Sequence, residues 1–190
     1  MATAIIMDFA GGTADQYDQV MTEMDLGGRV VPGAVFHVAG PYDGGWRVVD
    51  VWDDMDAFHA FAQEKIGPLT QAAGLAEPSM QFVEADELFD ERGGGTGDIT
   101  LFQVARMSFD VNDFADADSE IRDNGAPPAG CMFHIHGSTE DGGTLVGDAW
   151  TSKEARDEFI ASRVVPAMQS RGLAPPVIED LPVHNTLTAL

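Results

Sequence analysis

The sequence predicts an α+β fold built from two tandem copies of one βαββαβ unit, and three observations predict it. First, Gly33-Ala34-Val35-Phe36-His37-Val38-Ala39-Gly40 returns 97 residues later as Gly130-Cys131-Met132-Phe133-His134-Ile135-His136-Gly137. Second, the likeness runs through most of each copy with a single slipped residue. Third, short apolar runs of strand length alternate within each copy with segments of helical period.

Running back at the same offset pairs Thr3 with Thr100 and Tyr17 with Phe114. An extra residue in the second copy's turn raises the offset to 98, after which Gly45 pairs with Gly143, Asp50 with Asp148, Trp52 with Trp150 and Phe61 with Phe159. Pro68, Gln71, Gly74, Leu75, Ala76 and Pro78 recur as Pro166, Gln169, Gly172, Leu173, Ala174 and Pro176. The expected organisation is a first repeat at 1–89, a linker at 90–98 and a second repeat at 99–190. Four of the five residues 93–97 are glycine and the flanks are charged, as in a flexible, exposed connection.

In the first copy, residues 4–9 form an apolar run suited to a strand. Thr13 with Gln16 three positions on reads as a capping box, and Tyr17, Val20, Met21 and Met24 follow at helical spacing. Gly27-Gly28 can end that helix. Residues 34–39 and 46–52 are β-rich and flank a turn-rich stretch, which predicts a hairpin centred near residues 43 and 44. Asp53 or Asp54 caps a second helix carrying Phe58, Phe61, Ala62 and Ile66, and Pro68 kinks or divides it. A strand near residues 80–84 closes the unit. This order is the ferredoxin-like arrangement, an antiparallel sheet with both helices on one face. Its other face also needs cover, and two tandem copies are expected to supply it to each other, sheet against sheet.

The element order, the duplication and the stretch Phe36-His37-Val38…Trp46-Arg47-Val48-Val49-Asp50-Val51-Trp52 resemble the dimeric α+β barrel superfamily. More narrowly, they are similar to antibiotic biosynthesis monooxygenase-like proteins. The resemblance implies a barrel of two ferredoxin-like units with a cavity inside, formed here within one chain as an internal pseudo-dimer. It implies activities as varied as cofactor-independent oxygenation, haem degradation, haem peroxidation and isomerisation. Members that form polyketide quinones use an asparagine, a tryptophan and a tyrosine. Trp52 and Trp150 are the tryptophans that carry over, and Tyr17 and Tyr42 are the two tyrosines of the chain.

Strand alternation sorts the hairpin side chains. Phe36, Val38, Val49 and Val51 fall on one face, and His37, Trp46, Asp50 and Trp52 on the other. If the apolar set covers the helices, the polar set faces the barrel interior, with His37 roughly across from Asp50. The second copy repeats this with His134, Asp148 and Trp150 and adds His136. A histidine oriented by a carboxylate is a competent general base. In a cavity walled by Trp46, Trp52 and Trp150 it would take a proton from a phenol or an enol, leaving an anion that reacts with molecular oxygen without flavin or metal. His37/Asp50 and His134/Asp148 are thus the candidate catalytic pairs, with His136 and the tryptophans as candidate ligand contacts. A buried, hydrogen-bonded pair that only stabilises the hairpin has the same signature. The second copy also replaces Trp46 by Thr144, Phe58 by Arg156 and Asp86 by His184, so the two halves need not be equivalent.

No metal site is assigned. His134-Ile135-His136 could offer two ligands, but a third would have to come from His184 or Asp148. No cofactor is expected, and haem held by one histidine is the alternative that the resemblance allows. Cys131 reads as core and His59 as exposed. No phosphate loop, Rossmann fingerprint, nucleophile elbow or paired C-x-x-C is present.

Thirty-two acids against 10 bases give a net charge of −22, which repels nucleic acid and anionic membranes. Such acidity suits either a well-solvated surface or a high-salt cytoplasm. The single cysteine, the lack of a signal-peptide pattern and of a long apolar run place the chain in the cytoplasm by expectation. Expected partners are a small-molecule ligand and no nucleic acid or membrane, with the chain a monomer or weak homodimer. A non-catalytic ligand-binding or stress-related role remains open beside the enzymatic one.

Overall fold

The structure is a computed structural model that describes residues 1–92, 98–122 and 127–187. Most of the expected glycine linker lies outside the described residues. Thr13 caps α1 (Ala14–Met24) through the expected capping box: its hydroxyl accepts from the Gln16 N–H at 3.3 Å, and the Gln16 side-chain Oε1 accepts from the Thr13 N–H at 3.1 Å. The helix ends at Asp25, which adopts the left-handed conformation at φ 51°. Asp54 caps α2 (Met55–Phe61) by accepting from the Asp56 and Ala57 N–H groups.

Pro68 divides the second helix as its sequence implies. A π-helical turn, Ala62–Ile66, separates α2 from α3 (Gly67–Ala72). Proline has no N–H to give to the preceding turn and its ring crowds the carbonyl four residues back. A wider turn just before it relieves both problems. The second copy repeats the device: α4 (Val111–Ile121) is followed by α5 (Lys153–Phe159), a π-helical turn at Ile160–Val164, and α6 (Val165–Ser170) carrying Pro166.

Ten strands form two five-stranded sheets among the described residues. They are β1 (Thr3–Ala10), β2 (Ala34–Tyr42), β3 (Gly45–Trp52), β4 (Ser79–Glu84), β5 (Glu87–Asp90), β6 (Leu101–Met107), β7 (Cys131–Ser138), β8 (Thr144–Trp150), β9 (Val177–Pro182) and β10 (Asn185–Leu187). The first sheet has the order β10-β2-β3-β1-β4 and the second β5-β7-β8-β6-β9. Asp43 and Gly44, both at positive φ, make the tight turn of the β2–β3 hairpin. That turn fixes the register in which His37 lies opposite Asp50. His134 lies opposite Asp148 in the same way.

Each sheet takes one edge strand from the other copy. β5 ends the first copy yet pairs with β7, and β10 ends the second copy yet pairs with β2. The chain accordingly forms two units, residues 1–82 with 181–187 and residues 83–92 with 98–180.

The first strands correct the internal alignment. Thr3 lies opposite Trp52, and Leu101, not Thr100, lies opposite Trp150. The second copy is therefore one residue shorter before α4, whose cap Asp110 matches Thr13. As a result Ile5, opposite Asp50, is the counterpart of Gln103, opposite Asp148.

The two sheet faces are also assigned the other way round from the sequence expectation. His37, Trp46, Asp50 and Trp52 lie on the face that packs under α1 and the divided helix, in a layer with Tyr17, Val20, Phe61 and Ile66. His134, Asp148 and Trp150 lie likewise with Phe114, Phe159 and Met168. Phe36, Val38, Val49 and Val51 occupy the opposite face, all buried. Polar groups are tolerated under the helices because the helix layer and the borrowed strand bring their partners. Among the described residues no helix is long and apolar enough to cross a membrane.

Candidate functional site

In the first unit β2 and β3 hold His37 against Asp50, and α1 lays Tyr17 over the histidine. His37 Nδ1 is 2.7 Å from Asp50 Oδ1, and His37 Nε2 is 2.8 Å from Tyr17 Oη. A carboxylate only accepts, so His37 donates through Nδ1 and, when neutral, its Nε2 accepts from the phenol. Asn185, on the borrowed strand β10, donates from Nδ2 to Tyr17 Oη at 2.8 Å. The chain therefore runs Asn185–Tyr17–His37–Asp50. All but Asn185 are at least nine-tenths buried. Burial pushes the Tyr17 phenol well above its usual value, and Asp50 and Asp18 add to the rise while the Asn185 bond opposes it. The Trp46 ring packs on Tyr17 at 5.2 Å and on His184 at 5.1 Å.

The second unit keeps the pair and changes what surrounds it. His134 Nδ1 is 2.6 Å from Asp148 Oδ1, and His134 Nε2 is 2.9 Å from His136 Nδ1. Phe114 stands where Tyr17 stood and cannot donate. His136, at the position of Ala39, supplies the missing partner instead, with its ring edge-on to Phe114 at 4.8 Å. Burial, then the neighbouring His134, lower the His136 pKa to about 4. The second oxygen of Asp148 accepts from Gln103 Nε2 at 2.6 Å. Gln103 Oε1 accepts from Arg156 Nη1 at 2.9 Å, and Arg156 makes a two-pronged bond to Asp180 at 2.6 and 2.9 Å. An arginine that only donates and a carboxylate that only accepts leave the Gln103 amide one orientation.

These replacements form a connected tract. Asp180, Arg156 and Gln103 occupy the places of Phe82, Phe58 and Ile5. In the first unit the first two pack ring to ring at 6.2 Å. One unit thus backs its His–Asp pair with hydrocarbon, the other with a hydrogen-bonded chain reaching a half-exposed Asp180 carboxylate.

Each pair adjoins a cavity of about 60 Å³ within its own unit. The first is walled by Met7, Phe9, Val48, Phe61 and Leu75 with Tyr17, His37, Asp50 and both tryptophans. The second adds Gln103, Asp118 and Arg122 to an apolar wall with His134, Asp148 and Trp150. Arg122 is paired with Asp118 and Glu87. The indole N–H groups of Trp46, Trp52 and Trp150 are buried and without an acceptor among the described residues.

The structure thus brings each expected pair together and places Trp46 and Trp52 in the first cavity and Trp150 in the second. His136 bonds His134 and is not among the residues lining the second cavity. His184 lies in the first unit against Asp18 at 2.8 Å, so it does not join His134 and His136. Cys131 is buried, its thiol pKa raised by that burial, and His59 is exposed. Haem does not fit these sites: the cavities are far too small, and both nitrogens of His37 and of His134 are already engaged. Sequence reasoning missed Asn185, Gln103 and the role of Tyr17. Asn185 arrives on an exchanged strand, Gln103 was hidden by the one-residue slip, and only Tyr17 carried a signal, as the phenol lost from the second copy.

No family model matches the chain, and no curated protein matches it by sequence. Its fold matches a candidate monooxygenase from Fusobacterium nucleatum subsp. nucleatum ATCC 25586 with a TM-score of 0.78 at 12% identity, covering 98% of this chain and 94% of that one. It also matches a candidate monooxygenase from Lactobacillus acidophilus NCFM with a TM-score of 0.73 at 10% identity, covering 98% and 96%. A candidate chlorite dismutase follows with a TM-score of 0.61 at 12% identity, covering 97% and 95%. At these identities the likeness is one of fold, the ferredoxin-like fold of monooxygenase-like proteins.

Proposed function

We propose that this protein binds a small apolar or aromatic molecule under its helix layer and removes a proton from it with a buried His–Asp pair, His37/Asp50 or His134/Asp148. The observation that carries this reading is His37 held between Asp50 and Tyr17 in the wall of an apolar cavity. Asp50 orients the ring and stabilises the imidazolium that forms. Because Tyr17 already donates to His37, the phenolic oxygen can take the substrate proton as its own proton passes to Nε2. No free phenolate is needed, which suits a phenol whose ionisation burial opposes. The anion left behind is stabilised by its own conjugation and reacts with oxygen directly.

Size limits the ligand. A cavity of about 60 Å³ is smaller than the ~150 Å³ apolar cavity that takes up benzene, so a single ring enters only as the helices part.

The test is oxygen consumption with hydroquinone as probe, which gives benzoquinone and hydrogen peroxide. Turnover is expected in the wild type and lost in His37→Ala/His134→Ala; a fully active double variant sinks the base. Hydroquinone that raises the melting temperature and is recovered unchanged favours a binding protein without catalysis.

A further inference from the structure

The two cavities share a His–Asp pair but leave different atoms open. In the first unit Asp50 spends one oxygen on His37, and its other oxygen has no bond to a described residue. Trp46 Nε1 is buried without an acceptor. Tyr17, which links Asn185 to His37 in the hydrogen-bonded chain, lines its wall. A ligand there would meet an unpartnered indole N–H and a carboxylate oxygen free to accept.

In the second unit the corresponding atoms are taken. Both Asp148 oxygens accept, one from His134 and one from Gln103. Thr144, in the place of Trp46, gives its hydroxyl to the Phe109 carbonyl at 2.9 Å. His136, which ends this chain, stands off the cavity lining. A ligand there would have to break an existing bond to reach Asp148. Trp52 and Trp150 are alike in both units, so their unpartnered indoles belong to the shared fold and do not separate the two.

We propose that the duplication has divided the labour: the first unit's cavity binds the ligand and deprotonates it, while in the second Gln103, Arg156 and His136 hold the matching His–Asp pair closed. This division rests on the proposed His–Asp base. It assigns Tyr17 and Trp46 to the ligand site and makes the second unit a structural counterpart. The replacements are connected by direct bonds, as a lock requires, since each buried polar group added needs the next to satisfy it.

The experiment compares hydroquinone-dependent oxygen consumption and hydroquinone-induced melting shifts across variants of the full chain. Tyr17→Phe and Trp46→Thr each install the residue that the second unit already carries at that place. Tyr17→Phe is expected to lower turnover roughly 100-fold, and Trp46→Thr to abolish the melting shift. Gln103→Ile, which installs the first unit's residue, is expected to leave turnover and shift unchanged. Should Gln103→Ile not fold, the single histidine variants decide: the loss in His37→Ala is expected to exceed that in His134→Ala by at least about tenfold. Equal losses in those two, a larger loss in His134→Ala, or a loss in Gln103→Ile matching Tyr17→Phe overturns the division while leaving the base intact. Full activity in the double histidine variant overturns the base itself, and the division then fails if the melting shift survives Trp46→Thr.

Discussion

Tyr17 Oη lies 2.8 Å from His37 Nε2 and Asp50 Oδ1 lies 2.7 Å from Nδ1, so the histidine presents no bare nitrogen to the cavity and a ligand would reach it only through the phenol. The counterpart contact, His134 to His136, uses a residue from a different element to fill the same place. Two solutions to one unsatisfied nitrogen distinguish otherwise similar halves.

The polar tract of the second unit should be strongly non-additive. Arg156→Leu leaves the buried Gln103 amide oxygen without its donor and is expected to cost about 1–3 kcal/mol, the penalty of one orphaned buried acceptor, with the solvent-exposed Asp180 adding little. Gln103→Ile/Arg156→Phe/Asp180→Phe rebuilds the first unit's apolar tract and should cost far less than the sum of its parts. Urea denaturation of the single and triple variants checks it, and simple additivity would contradict the network.

His136 should make the protein sensitive to mild acid. Its folded pKa of about 4 lies below the ordinary 6.5, so the unfolded chain binds the proton more readily. The stabilisation is complete above pH 6.5 and is lost as pH falls from 6.5 through about 4, by at most about 3 kcal/mol. Burial, then His134 and Arg122, depress the value, while Glu87 and Asp86 oppose that. His136→Ala should flatten the stability profile across that window in denaturant titrations. An unchanged slope would show that other groups govern acid unfolding.

Gly40 and Gly137 should not tolerate a side chain. A Cβ on Gly40 would meet the Pro182 carbonyl oxygen at 2.0 Å, and one on Gly137 the Glu84 carbonyl oxygen at 2.0 Å. Both glycines let a central strand approach the segment leading into an exchanged edge strand. Gly40→Ala and Gly137→Ala are each expected to cost about 1–3 kcal/mol or more, read from the melting temperature. Gly27→Ala, with open space but φ 62°, should cost less.

The net charge of −22 should make stability depend on salt. Like charges ~10 Å apart repel by roughly 0.4 kcal/mol in water, and at about 1 M salt the screening length falls to about 3 Å. The melting temperature should rise steadily with sodium chloride. A flat response would mean that the acids are already spaced widely enough to ignore one another.

The sequence by itself determined the duplication, the N-terminal helix caps at Thr13 and Asp54, the division at Pro68 and the register that sets His37 against Asp50, but not the helix end, which falls at Asp25 and not at Gly27-Gly28. The duplication shows as one segment repeated, and the rest depend on nearby residues: a cap on three positions, a hairpin register on its turn, a proline on the turn before it. Only the tertiary structure decided which sheet face lies under the helices, because alternation separates two faces without saying what covers either. It alone brought Asn185 to Tyr17 and Glu87 beside His136, since strands of three and four residues carry too little pattern to name a partner far along the chain. And it alone revealed Gln103, because a one-residue slip in a strand exchanges inward for outward side chains, and only the hydrogen-bonded ladder fixes which residue meets the carboxylate.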